Sequence, residues 1–293
     1  MDAIRTTKLT KYYGKSRGIT DLDLRVEEGE FFGYIGPNGA GKSTTVRTLL
    51  GLINATSGEA KIFNKDIVKD RKEILSDIGY LPSEAIFHAG MKVKDVLRFS
   101  AELRGKNCRT SAAELSERLQ LETNRKVEEL SFGNRKKVAI VCALQHDPRL
   151  LILDEPTGGL DPLMQKEFFD ILRERNAAGT TVFLSSHVLS EIQHNCSRAA
   201  IIREGRIIAC DKVEALARTN AKRVSLVGEL NPEGAASCAG IRDLNLGKDS
   251  ASFLFSGDMR DLIELLAISR IRDLSVSEPE LEEVFLHYYE KEA

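Results

Sequence analysis

The chain has 293 residues, enough for roughly two domains, and its 42% hydrophobic and 29% charged residues are ordinary for a globular protein. A net charge of −2 provides no broad basic surface, so no nucleic-acid partner is expected. No apolar run approaches the ~20 residues that span a bilayer, so any membrane role is expected to run through a partner chain.

Thr7–Thr10 and the alternating Leu22-Asp23-Leu24-Arg25-Val26 predict half-exposed antiparallel strands. From Phe31 onward the rhythm changes. Apolar runs at Phe31–Ile35, Leu150–Leu153, Thr180–Leu184, Ala199–Ile202 and Arg206–Ala209 read as buried strands. Helical patterns at Lys42–Leu52, Val93–Leu103, Asn134–Gln145 and Leu163–Ala178 lie between them. That alternation predicts a largely parallel sheet covered by helices. Beyond about residue 215 the order becomes strand (Arg223–Val227), helix (Pro232–Cys238), strand (Ile241–Leu246), strand (Ser252–Ser256), helix (Met259–Ile268), strand (Ile271–Val276). This βαββαβ order predicts a small ferredoxin-like α+β domain over 216–293. A closing helix, Pro279–Tyr289, is expected from Pro in its first turn and acids near its positive end.

Five cysteines (108, 142, 196, 210 and 238) show no C-x-x-C spacing. Cys142, Cys196 and Cys210 lie beside apolar residues and are expected as buried thiols. With a polar, mixed segment at Met1–Arg5 rather than a signal peptide, a reduced cytosolic setting is expected.

The densest chemistry follows the first apolar strand. Gly36-Pro37-Asn38-Gly39-Ala40-Gly41-Lys42-Ser43-Thr44 is a G-x-x-x-x-G-K-S loop between a strand and a helix, the context a phosphate-binding P-loop requires. Its glycines let backbone N–H groups close around phosphate oxygens. Lys42 supplies positive charge, the helix start its dipole, and Ser43 a hydroxyl for Mg²⁺. A second element, Leu150-Leu151-Ile152-Leu153-Asp154-Glu155, ends a buried strand in two acids. Asp154 is placed to hold the metal and Glu155 to orient or deprotonate an attacking water, although strand-end acids without a P-loop are often merely solvated. His187 follows Ser185-Ser186 at the end of another strand, on the edge where α/β ligands bind. Leu130-Ser131-Phe132-Gly133-Asn134 opens a helix, with Ser131 as its cap. From that segment alone an ordinary capped helix is the simpler reading.

The order of these motifs carries a resemblance. Leu130–Asn134, just upstream of LLILDEP, closely resembles the LSGGQ signature of the ATP-binding cassette (ABC) ATPases. The P-loop, signature, DE strand, Gly159-Leu160-Asp161-Pro162 loop and strand-end His match that family over residues 3–215. The resemblance implies a P-loop NTPase cassette over 1–215, with a helical subdomain at about 84–148 that receives a permease's coupling helix near Phe87, His88 and Met91. It also implies a head-to-tail dimer of two cassettes, identical or related, in which Ser131 and Gly133 complete the partner's γ-phosphate site. Tyr13, in preference to Tyr12, would stack on adenine. Lys42, Glu155 and His187 would serve catalysis, Asp154 and Ser43 the metal, and Asp161 communication across the dimer.

Three departures stand out. Phe132 replaces the signature's first Gly, Asn134 its Gln, and Ser83-Glu84 stands where the family usually places Gln after Pro82. The end Glu278-Pro279-Glu280-Leu281-Glu282-Glu283-Val284-Phe285 is similar to that of separate-chain ATPase subunits of daunorubicin-resistance-type exporters. The implied function is an ATP- and Mg²⁺-dependent motor on the cytoplasmic face of the membrane, driving a separate permease. A soluble ABC ATPase acting on ribosomes or DNA is the alternative. One P-loop, no sustained heptads and no basic stripe weigh against it. A hydrolysis-dead regulator is a third reading, opposed by intact Lys42, Asp154, Glu155 and His187.

Overall fold

The computed structural model describes residues 1–14, 16–217 and 222–277. The chain divides into two compact units, Met1–Val213 and Glu214–Ala293.

The first unit opens with β1 (Asp2–Tyr13) and β2 (Ser16–Glu27), an antiparallel pair. β1 continues onto β4 (Ser57–Ile62), which pairs with the two-residue β5 (Lys65–Asp66). The antiparallel strands at the chain start are therefore present, but longer than periodicity indicates. Lys8 and Asp21 take left-handed backbone angles (φ 46° and 49°), and the resulting register shifts interrupt the alternation that a period-two reading follows.

The second sheet has the order β10-β9-β3-β8-β7-β6. β3 (Phe31–Ile35), β6 (Ile78–Leu81), β7 (Leu150–Asp154), β8 (Thr181–Ser186) and β9 (Arg198–Arg203) run parallel. Every residue of β3, β7 and β8 is buried, the expected burial of strands covered on both faces. β10 (Arg206–Lys212) departs from the expected rhythm: it folds back antiparallel on β9. Glu204 and Gly205 both have positive φ, which makes the two-residue hairpin turn possible without a helical crossover. Cys210 lies on this edge strand and is exposed, contrary to the burial its apolar neighbours suggest; Cys196 and Cys108 are buried and Cys142 is partly so.

Helices α1 (Lys42–Leu49), α2 (Arg71–Asp77), α3 (Val93–Glu102), α4 (Arg109–Arg118), α5 (Phe132–Leu144), α6 (Pro162–Ala177) and α7 (Leu189–Asn195) complete the unit. Between sheet and α1, Phe32, Tyr34 and Phe183 pack together, and the Tyr34 hydroxyl meets Thr45 Oγ at 3.0 Å. β6 lies close against α5: a Cβ on Gly79 would stand 2.1 Å from the Ala143 carbonyl oxygen, so only glycine permits this approach. That contact brings the start of α5 beside the loop after β6.

His146, just beyond α5, is only 2% exposed and bonds through Nε2 to the Ile78 carbonyl at 3.2 Å. Burial, with Arg104 nearby, lowers its pKa to about 4. The folded protein thus favours neutral His146, and between pH ~6.5 and ~4 the unfolded chain binds the extra proton. Stability is expected to fall by on the order of 2–3 kcal/mol as pH drops through that window. Urea melts at pH 7 and 5 should show a smaller loss in His146→Gln; an unchanged slope would remove His146 as the cause.

After the five-residue helix α8 (Val213–Ala217), the second unit contains β11 (Lys222–Glu229), α9 (Pro232–Ser237), β12 (Ile241–Leu246), β13 (Ser250–Phe255), α10 (Met259–Ala267) and β14 (Arg270–Ser277). Its sheet order β12-β13-β11-β14, antiparallel throughout, is the ferredoxin-like arrangement read from the sequence. Val224, Leu226, Phe253, Phe255, Leu262 and Leu265 form its core. The closing helix Pro279–Tyr289 and the Glu278–Phe285 segment lie outside the described residues. Among the described residues no helix is long and apolar enough to cross a membrane.

Candidate active site

The P-loop leaves β3 and turns into α1 with Gly39 and Gly41 at φ 80° and 109°, angles that side chains disfavour. The β9–β10 turn braces it from behind, Gly205 N–H donating to the Ala40 carbonyl at 2.8 Å. In front lies an open cavity of about 340 Å³ lined by Tyr13, Arg17, Gly18, Asn38, Gly39, Gly41, Lys42, Ser43, Thr44, Ser83 and Glu155. Gly36, Pro37 and Ala40 do not line it. The Gly36 and Pro37 carbonyls accept from Lys42 Nζ at 2.7 and 3.1 Å, and Ala40 is buried.

Lys42 is 4% exposed and its ammonium also pairs with Glu155 Oε1 at 3.2 Å. The same oxygen lies 3.3 Å from His187 Nδ1. Burial pushes the Glu155 carboxyl upward, but Lys42 and His187 outweigh it and hold the group below its usual range. Glu155 also has φ 48°, a left-handed backbone unusual for a side-chain-bearing residue and typical of strained functional positions. Asp154, 1% exposed, accepts from Ser185 Oγ at 3.2 Å and lies near Ser43. Its burial raises its pKa, against the effect of those hydroxyls.

A magnesium ion fits this donor set. Ser43 and Asp154 converge beside the phosphate cradle, and among the described residues no cluster of three acids, His or Cys could hold a metal unaided. Mg²⁺ would therefore bind together with phosphate oxygens, as a hard cation with few protein ligands does.

Ser131, Gly133 and Asp161 lie outside the cavity. Ser131 is the exposed cap of α5, its Oγ accepting from Asn134 N–H at 3.3 Å. Asp161 caps α6, accepting from Met164 N–H at 3.0 Å. Gly133 and Phe132 meet the loop after Glu155: a Cβ on Gly133 would fall 2.4 Å from the Gly159 carbonyl oxygen, and one on Gly159 would strike the Phe132 ring. Phe132 is thus accommodated because Gly159 has no side chain. Tyr13 lines the cavity, whereas Tyr12 does not and accepts from Thr20 Oγ1. Ser83 lines it too, but Glu84 faces a separate groove with Ile86, Phe87, Phe132 and Arg135. The short serine, not the acid, occupies the position beside the phosphate loop. Ser83→Ala is accordingly expected to slow ATP turnover about tenfold while Glu84→Ala leaves it near the parent value; the reverse order of effects would contradict the placement.

Sequence reading missed four site groups. Arg17 stands on the cavity wall and pairs with Glu204 at 3.0 Å. Ser185 holds Asp154. Glu191 accepts from Thr157 Oγ1 at 2.6 Å and Ser186 Oγ at 2.7 Å, binding the loop after β7 to the end of β8. Lys136 is buried among backbone carbonyls. A hydroxyl or a helix acid carries no sequence signal for such contacts, whereas Arg17, a cation three residues after Gly14, could have been suspected.

The fold and this cavity define a P-loop nucleotide-binding ATPase. A family model for ABC transporter matches residues 19–158. The chain is 40% identical over 225 residues to the bacitracin transport ATP-binding protein BcrA of Bacillus licheniformis, covering 75% of this chain and 72% of that one. It is 32% identical over 301 residues to the daunorubicin/doxorubicin resistance ATP-binding protein DrrA of Streptomyces peucetius, covering 97% and 91%. A dimeric, post-hydrolysis ATP-binding cassette, MJ0796 bound to ADP and Pi, superposes with a TM-score of 0.64 at 26% identity, covering 72% of this chain and 98% of that one. The chain belongs to the ABC transporter family, as one of its ATP-binding and ATP-hydrolysing subunits.

Proposed function

We propose that this chain is the motor of a two-component bacterial exporter: two cassettes close head to tail on ATP at the cytoplasmic face of the membrane and move a separate permease. The observation that carries this reading is the division of the site. Lys42, Ser43, Glu155 and Tyr13 line one cavity, with Asp154 buried behind Ser43, while Ser131 and the α5 N-terminus stand exposed and outside it. A capped helix start with free N–H groups suits an anion held by another subunit. The bacitracin and daunorubicin relatives support export.

In this account Tyr13 stacks on adenine and the P-loop N–H groups hold the phosphates. Ser43 and Asp154 would hold Mg²⁺, which would supply positive charge against that of the phosphates. The γ-phosphate competes with Glu155 for the Lys42 ammonium, and drawing it away leaves the carboxylate more basic. Glu155 then takes the proton of the attacking water, and His187, already beside it, steadies the γ-phosphate. Asp161 and the Gly158-Gly159 loop carry the change to the facing subunit.

Purification of the chain from native membranes in mild detergent tests the reading. A stoichiometric multi-span membrane protein is expected to accompany it. Ribosomal proteins or DNA-bound factors in its place would favour the soluble alternative.

A further inference from the structure

We infer that Lys136 is a positioning residue for hydrolysis: a buried cation on α5 that fixes the backbone of both loops flanking the attacking water. Lys136 is 1% exposed although it lies in the basic run Arg135-Lys136-Lys137. Its ammonium donates to three carbonyls: Pro82 at 2.9 Å, Ser83 at 2.9 Å and Glu155 at 3.1 Å. Three N–H donors meet three acceptors, a match that a neutral amine with two N–H groups cannot make. Asp154 and Glu155 supply the compensating negative charge, while burial lowers the pKa to about 8.

The choice of carbonyls gives the contact its meaning. Ser83 and Glu155 both line the phosphate cavity. The Glu155 carbonyl belongs to the residue held at φ 48°, a conformation that persists only where the surroundings enforce it. The amide of the same residue donates to the Ser185 carbonyl at 2.9 Å, so the Glu155 backbone is pinned on both sides. Gly79 lets α5 approach β6 closely enough for the ammonium to arrive. Lys136 does not itself line the cavity; it bonds to the carbonyls of two residues that do, so it acts through Glu155 and Ser83. It also sits on the helix whose start presents Ser131, and so links that exposed helix start to the chain's own hydrolytic loops.

This inference rests on the reading of Glu155 as the base. The test compares steady-state ATPase kinetics of the full chain with those of Lys136→Met, Lys136→Gln, Glu155→Gln and the Lys136→Met/Glu155→Gln double variant. Loss of the clamp is expected to lower kcat about tenfold to a hundredfold in Lys136→Met, with KM for ATP within about twofold. Lys136→Gln, whose amide can donate two of the three bonds, should recover much of that loss. In the double variant the second substitution should cost little beyond Glu155→Gln, because both act on one group. Unchanged kcat in Lys136→Met, a change confined to KM, or fully multiplicative effects would overturn the assignment. If Lys136→Met fails to fold, Lys136→Gln and its double variant carry the same comparison. Failure of the Glu155 reading shows separately, as retained turnover in Glu155→Gln alone.

Discussion

Glu155→Gln is expected to lower kcat for ATP hydrolysis by about 10²–10⁴-fold while nucleotide still binds. The substitution is nearly isosteric, and the backbone bonds of residue 155 to Ser185 and Lys136 do not involve the side chain. What it removes is the carboxylate that now lies between Lys42 and His187. Without that negative charge the amide cannot accept a proton from water, and Lys42 is released to the phosphates, so affinity for ATP should hold or rise. Single-turnover measurements with radiolabelled ATP separate the two steps. Turnover at the parent rate would remove Glu155 from the chemistry.

Ser131→Arg should abolish ATPase activity, by more than about a hundredfold, and leave ATP binding to the isolated chain intact. Ser131 is exposed and lies outside the cavity of its own chain. Its hydroxyl accepts a local bond from Asn134 N–H, worth about 1 kcal/mol as a helix cap. A guanidinium there costs the fold little. At the α5 start it places bulk and positive charge where the proposed function brings the facing subunit's γ-phosphate. Equilibrium binding of a fluorescent ATP analogue to the dilute protein distinguishes the cases: lost binding in the single chain would mean that Ser131 serves its own site and that the division between subunits is wrong.

Much of this was legible from residue order. Phe31–Ile35, Leu150–Leu153 and Val182–Leu184 are unbroken apolar runs, and burial on both faces leaves that pattern in any sequence. The P-loop announces itself because its glycines and lysine follow from the geometry of phosphate binding. The second unit was readable from its strand-and-helix order and from Pro232 at a helix start. Local signals failed where a partner distant in sequence decides the outcome. Ile78–Leu81 is a short strand interrupted by Gly79, and only β7 beside it and α5 above it give it a place. Arg206–Lys212 looks like one more parallel strand until the turn at Glu204 and Gly205 reverses it. Cys210 went to the surface with that edge. Lys136 is the clearest case: nothing in the basic run Arg135-Lys136-Lys137 marks its second residue as buried against the Glu155 carbonyl.

The account stands on ATP joining two cassettes, each completing the other's site. Light scattering on size-separated Glu155→Gln, with and without MgATP, measures this most directly. The account predicts the mass of one chain without nucleotide and of two with it, carrying two ATP per pair, and no such shift when Ser131→Arg is added. A single chain that binds ATP and stays single, or a pair that forms equally well without nucleotide, would contradict it.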